Sequence, residues 1–101
     1  MNKTQLQAAN YYRAAERLES KGQKMPSHMT AAQLNALYVE NNNSDIARAR
    51  ANVRELNHEI MGWLESDNVD EAMKVSKQVM HQLTLIAMYE DNIKFLLKGS
   101  N

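Results

Sequence analysis

The chain has no cysteine. Disulfides, thiolate catalysis and cysteine-based zinc sites are therefore excluded. Proline occurs once, at Pro26, and glycine three times, at Gly22, Gly62 and Gly99. The glycines are isolated, so no glycine-rich loop exists to cradle a phosphate. Charge of one sign is not in excess either: 12 Lys and Arg face 12 Asp and Glu over 101 residues. A nucleic-acid binder usually carries a basic surplus, and none appears in the total. The longest strongly apolar stretch, Leu83–Tyr89 with Thr84 inside it, is far short of the roughly 20 residues that span a bilayer. The first twenty residues hold no apolar segment of the kind that marks a signal peptide. The expected setting is the cytoplasm, with no membrane partner.

What is present is helical periodicity. Ile46, Ala49, Val53, Leu56, Ile60 and Trp63 recur at alternating steps of three and four, which places them on one seam of an α-helix. A second stripe follows: Val69, Met73, Ser76, Val79/Met80, Leu83, Ile86/Ala87, Ile93 and Leu97. Ser66-Asp67-Asn68 separates the two and reads as a turn, with Asn68 and Glu71 suited to cap the following helix. The pattern predicts an all-α fold, a small helical bundle built on a long antiparallel hairpin of about 45–65 and 69–98, with two further helices before it.

Thr4 is placed to cap a first helix that runs to about Lys21 and stops at Gly22. Its apolar seam is thin: Ala8, Tyr11, Ala15 and Leu18, with Leu6 and Tyr12 beside it. Residues 22–29 form the best linker candidate, because they hold the single proline. The expected organisation is one domain with an N-terminal arm (1–21), this linker, and a core (30–101). Thr30 and Gln33 match a capping box. They should open a short second helix carrying Leu34, Leu37 and Tyr38. Asn41-Asn42-Asn43 then favours a break, because Asn side chains compete with the backbone for hydrogen bonds. Ser44 would cap the next helix. One continuous helix from Thr30 to Glu65 is the alternative.

With a break, the helix from 45 to 65 would be about 30 Å long and its partner about 45 Å. The longer helix would then overhang its neighbour beyond Tyr89. Ile93, Phe95, Leu96 and Leu97 there would need cover, from the short helix around Leu34, Leu37 and Tyr38 or from a second copy of the chain, and Met88 and Tyr89, on a second apolar side, would join Ile93, Phe95 and Leu96 in a packing or oligomer surface. A homodimer is the expectation.

Catalytic constellations fail on spacing or phase. Glu55 and His58 have the Glu-x-x-His spacing of di-iron bundles, but the motif occurs once and both residues face away from the seam. His28, His58 and His81 form no zinc-binding pair. Ser27, Ser44 and Ser66 sit at turns and helix starts without a nucleophile elbow. No enzyme, metal or cofactor is expected. The suggestive charges are Arg48, Arg50 and Arg54, which could meet DNA if the helices around the Asn run formed a helix-turn-helix. Arg13 and Arg17 on a mildly basic arm (residues 1–30 carry five cations and two anions), together with Met25 and Met29 flanking the proline, could meet a protein partner. Trp63 is expected as a core anchor, or less often as a partner hot spot. The preferred expectation is a non-enzymatic protein–protein interaction module, of the size of a small accessory or inhibitory protein from a phage or mobile element. The rivals are a small DNA-binding regulator using the helix at 45–65 and a structural subunit of a helical assembly.

Overall fold

A computed structural model describes residues 2–26 and 28–99 and contains three helices there: α1 (Lys3–Ser20), α2 (Ala31–Glu65) and α3 (Val69–Gly99). Ser27, whose place at a turn the sequence suggests, lies outside the described residues. The fold is all-α, and no helix among the described residues is long and apolar enough to cross a membrane.

The helix ends follow local chemistry. Asn2, not Thr4, caps α1: its side-chain oxygen accepts from the Gln5 backbone at 2.8 Å, and the Gln5 side chain accepts from the Asn2 backbone at 3.1 Å. Two orphan donors are satisfied reciprocally, a capping box begun two residues earlier than Thr4 suggests. At the other end the Gln23 N–H donates to the Leu18 carbonyl and the Gly22 N–H to the Glu19 carbonyl, with Gly22 at φ +74°. This is a Schellman ending, and glycine suits its left-handed residue. Thr30 and Gln33 form the expected box, at 3.1 and 2.9 Å. α2 closes with the same ending, Asn68 to Trp63 and Asp67 to Leu64, but here the left-handed residue is Asp67, at φ +57°. Asn68 then caps α3 by accepting from the Glu71 backbone at 3.3 Å, while the Glu71 carboxylate turns to Lys74 at 3.0 Å.

The asparagine run does not break the chain: α2 passes through Asn41, Asn42 and Asn43 without interruption. Ser44 and Asp45 consequently lie inside a helix rather than at its start. Asn in place of Ala costs about 0.7 kcal/mol per helical position, so about 2 kcal/mol for three. Burying a single large apolar side chain returns about 1.5–3 kcal/mol, and helix continuity places Leu34, Leu37 and Tyr38 against a core. Asn42, only 1% exposed, donates from Nδ2 to the Tyr38 carbonyl at 2.7 Å, so its side chain bonds within the helix. Continuity of α2 also removes the expected overhang of α3.

The chain forms two compact units, one of residues up to Asn42 together with those from Ile93, and one spanning Asn43–Asn92. In the first, α1, the start of α2 and the end of α3 enclose a core of Ala14, Tyr38 and Leu96, flanked by Met25, Leu34, Leu37, Val39 and Phe95. The face of α1 turned inward carries Leu6, Asn10, Ala14 and Leu18; Ala8, Tyr11 and Tyr12 are exposed. The expected α1 seam is thus rotated, because Ala14, with no exposure at all, is the residue small enough to sit at the closest approach.

The second unit is a two-helix hairpin. Its fully buried apolar residues are Ile46, Ala49, Ala72 and Val75, and Val53, Leu56, Ile60, Val79, Leu85, Ile86 and Tyr89 are half-buried. Asn52 donates to the Gln82 side-chain oxygen across the hairpin at 3.3 Å. The α2 seam from Ile46 to Ile60 is the one expected. Trp63, at its end, is 37% exposed and is not a core anchor.

Candidate interaction surface

α3 carries two heptad stripes in the hairpin unit, and the hairpin uses only one of them. The stripe facing α2 is Ala72, Val75, Val79, Gln82, Ile86 and Tyr89. The seam that the sequence suggests, Val69, Met73, Ser76, Val79/Met80, Leu83 and Ile86/Ala87, splits in the structure: Val79 and Ile86 lie on the inward stripe, while Val69, Met73, Ser76, Met80, Leu83 and Ala87, one position away, face solvent. Val69 is 56% exposed, Met73 58%, Met80 63% and Leu83 46%. The correction has a physical reason. A shift of one residue turns a helix by about 100°, and close approach of two helices favours small residues at the contact, which Ala49 and Ala72 supply and Met73 and Met80 do not.

The outward stripe is uncharged along its whole length. Its one polar member, Ser76, donates its hydroxyl to the Ala72 carbonyl at 2.9 Å. Thr84, beside the stripe, donates to the Met80 carbonyl at 3.0 Å. Both hydroxyls are satisfied within their own helix. Covering this face with another apolar surface would strip water from no unmet donor, so the desolvation penalty that usually opposes burial of Ser or Thr is small here.

The sequence-suggested residues distribute differently. Arg50 approaches Glu90 at 3.5 Å across the hairpin, with both side chains about half exposed. An exposed pair of this kind contributes at most about 1 kcal/mol. Arg48 lines a shallow hollow of about 190 Å³ with Asp45, Asn52, Gln82 and Tyr89, and Arg54 is exposed. Arg48 thus shares its hollow with Asp45 and Arg50 pairs with Glu90, so two of the three arginines stand beside acidic groups. The turn that a helix-turn-helix requires is absent, since α2 is continuous there. Arg13 and Arg17 are half-buried on α1. Met25 packs on the first unit's core, and Met29 lines a hollow of about 460 Å³ beside Pro26 and Leu37. Of the residues expected to need cover, Leu96 is core, Phe95 packs on that core, Ile93 and Tyr89 are half-buried, and Met88 and Leu97 are exposed.

Glu55, His58 and His81 are exposed, and among the described residues no three His, Asp or Glu side chains converge as metal ligands. Burial pushes the Tyr38 phenol above its ordinary pKa, and neighbouring Tyr11 adds to the rise. Compared with protein-family models, curated proteins and solved structures, the chain matches none of them.

The outward stripe was visible in the sequence as a stripe. What the sequence did not carry was its direction, because α3 is apolar on two adjacent faces and either could have met α2.

Proposed function

We propose that this chain is a non-enzymatic helical interaction module, acting through the outward face of α3. The observation that carries the reading is the run Val69, Met73, Ser76, Met80, Leu83 and Ala87: six successive heptad positions without a charge, standing in solvent. Heptad spacing is the pattern by which one helix receives another. Methionine at two of the larger positions suits it, since an unbranched thioether adapts to a partner's contour. A small accessory protein of phage or mobile-element type, working in the cytoplasm, fits this size, the lack of cysteine and the lack of a catalytic set.

The test is photo-crosslinking in the native host. A photoreactive residue placed at Met80 should give a protein adduct, while the same residue at exposed His58 should not. Equal adduct formation at both positions, or none at Met80, overturns the reading.

A further inference from the structure

We infer that the occupant of the outward α3 face is a second copy of this chain, docked antiparallel about a two-fold axis between Ser76 and Met80. The inference rests on the module reading above and names its partner.

Exposure is the first argument. Within the hairpin unit the four larger members of the stripe, Val69, Met73, Met80 and Leu83, are 46–63% exposed, and a two-helix hairpin has no third layer to cover them. A second copy brings the same uncharged stripe to the same face.

The second argument is self-complementarity. Successive members of the stripe are separated by four, three, four, three and four residues, an order that reads the same in both directions. A two-fold antiparallel pairing therefore sets Val69 against Ala87, Met73 against Leu83, and Ser76 against Met80 of the second copy. Ser76 and Ala87 each meet a larger residue, so no layer is built from two small side chains. A parallel pairing would stack Ser76 on Ser76 and Ala87 on Ala87, leaving thin layers between a crowded Met80 pair, and uneven layers pack poorly. The isologous contact is also the commonest way in which a chain meets its own copy. Ser76 enters this interface with its hydroxyl already bonded to Ala72.

Sedimentation equilibrium on the full chain should find a dimer. The double substitution Met73→Glu with Met80→Glu should raise its dissociation constant by about a hundredfold or more, since symmetry buries each carboxylate twice. Helix content by circular dichroism should not change, because both side chains are exposed in the single chain. The absence of native cysteine allows a clean test of direction. Val69→Cys mixed with Ala87→Cys should form a mixed disulfide, and neither variant alone should crosslink to itself. A monomeric wild-type chain overturns the inference, as does a dimer indifferent to the two glutamates or a Val69→Cys chain that crosslinks with its own kind. The two readings fail separately: a monomer that still yields a Met80 adduct with a different protein sinks self-pairing and leaves the module, whereas no adduct sinks both.

Discussion

In the first unit three helical segments meet; in the second there are two. The third segment makes the difference. Around Ala14, Tyr38 and Leu96 the flanking Leu34, Leu37, Val39 and Phe95 find contacts on more than one side, and three asparagines (Asn10, Asn41 and Asn42) are carried inside with them. In the hairpin, α2 and α3 cover one face of each other, and the fully buried apolar residues include two alanines. A helix that is apolar on two faces needs two neighbours. In the hairpin unit α3 has one, and the face left over is the candidate interaction surface. The exposure of Met73, Met80 and Leu83 thus follows from the hairpin's having two layers and no third.

The comparison can be broken most strongly at Leu96. Leu96→Ala should cost about 2–5 kcal/mol, as large-to-small changes in a closed core do, read by urea denaturation. Leu83→Ala, made on the Met73→Glu, Met80→Glu background, should cost under about 0.5 kcal/mol, the value for surface sites. Equal losses would erase the distinction between the units. Next come the two left-handed residues, one in each unit. Gly22 has open space around it, so Gly22→Ala should lose about 1–2 kcal/mol from backbone conformation alone. Asp67→Gly should instead gain up to about 1 kcal/mol, and thermal melts would separate the two signs.

The buried asparagines sharpen the comparison further. Asn41 Nδ2 is buried without a hydrogen-bond partner among the described residues. Asn41→Ala removes that donor and installs a better helix former, so it should stabilise by about 1 kcal/mol by chemical denaturation. Tyr38 gives the first unit a pH dependence. Its folded pKa is raised by burial and then by Tyr11, so the unfolded chain loses this proton first. The associated stability is intact below the unfolded value of about 10 and is lost as pH rises through the folded one. Melts between about pH 8 and 11 should show a shallower decline in Tyr38→Phe. Smallest is Arg50→Ala, expected to cost under about 0.5 kcal/mol, with salt removing even that.

Much of the fold is local and was legible as such. The Thr30–Gln33 box, the stop at Gly22, the Ser66–Asn68 turn and the seam beginning at Ile46 each depend on a few neighbouring residues. The asparagine run was not legible, because its turn preference is local while the burial that outweighs it comes from residues distant in sequence. The phase of α1 and of α3 was hidden for a related reason. Periodicity identifies an apolar stripe but not what the stripe meets, and α3 offers two. The sequence placed Val69, Met73, Met80 and Leu83 in the hairpin seam, whereas in the structure they are exposed. The arginines illustrate the converse. Their spacing was suggestive, and Asp45 was visible beside Arg48 on the same helix, but Glu90 reaches Arg50 only through the hairpin.

The first unit is assembled from segments on both sides of the second along the chain. The hairpin needs only contacts across its own turn, so its loop-closure cost is low, and topology of that kind folds fast. The Tyr38–Leu96 core must wait until residues far apart in the chain are brought together. In refolding, the hairpin can therefore form first and hold the two outer segments close enough to meet.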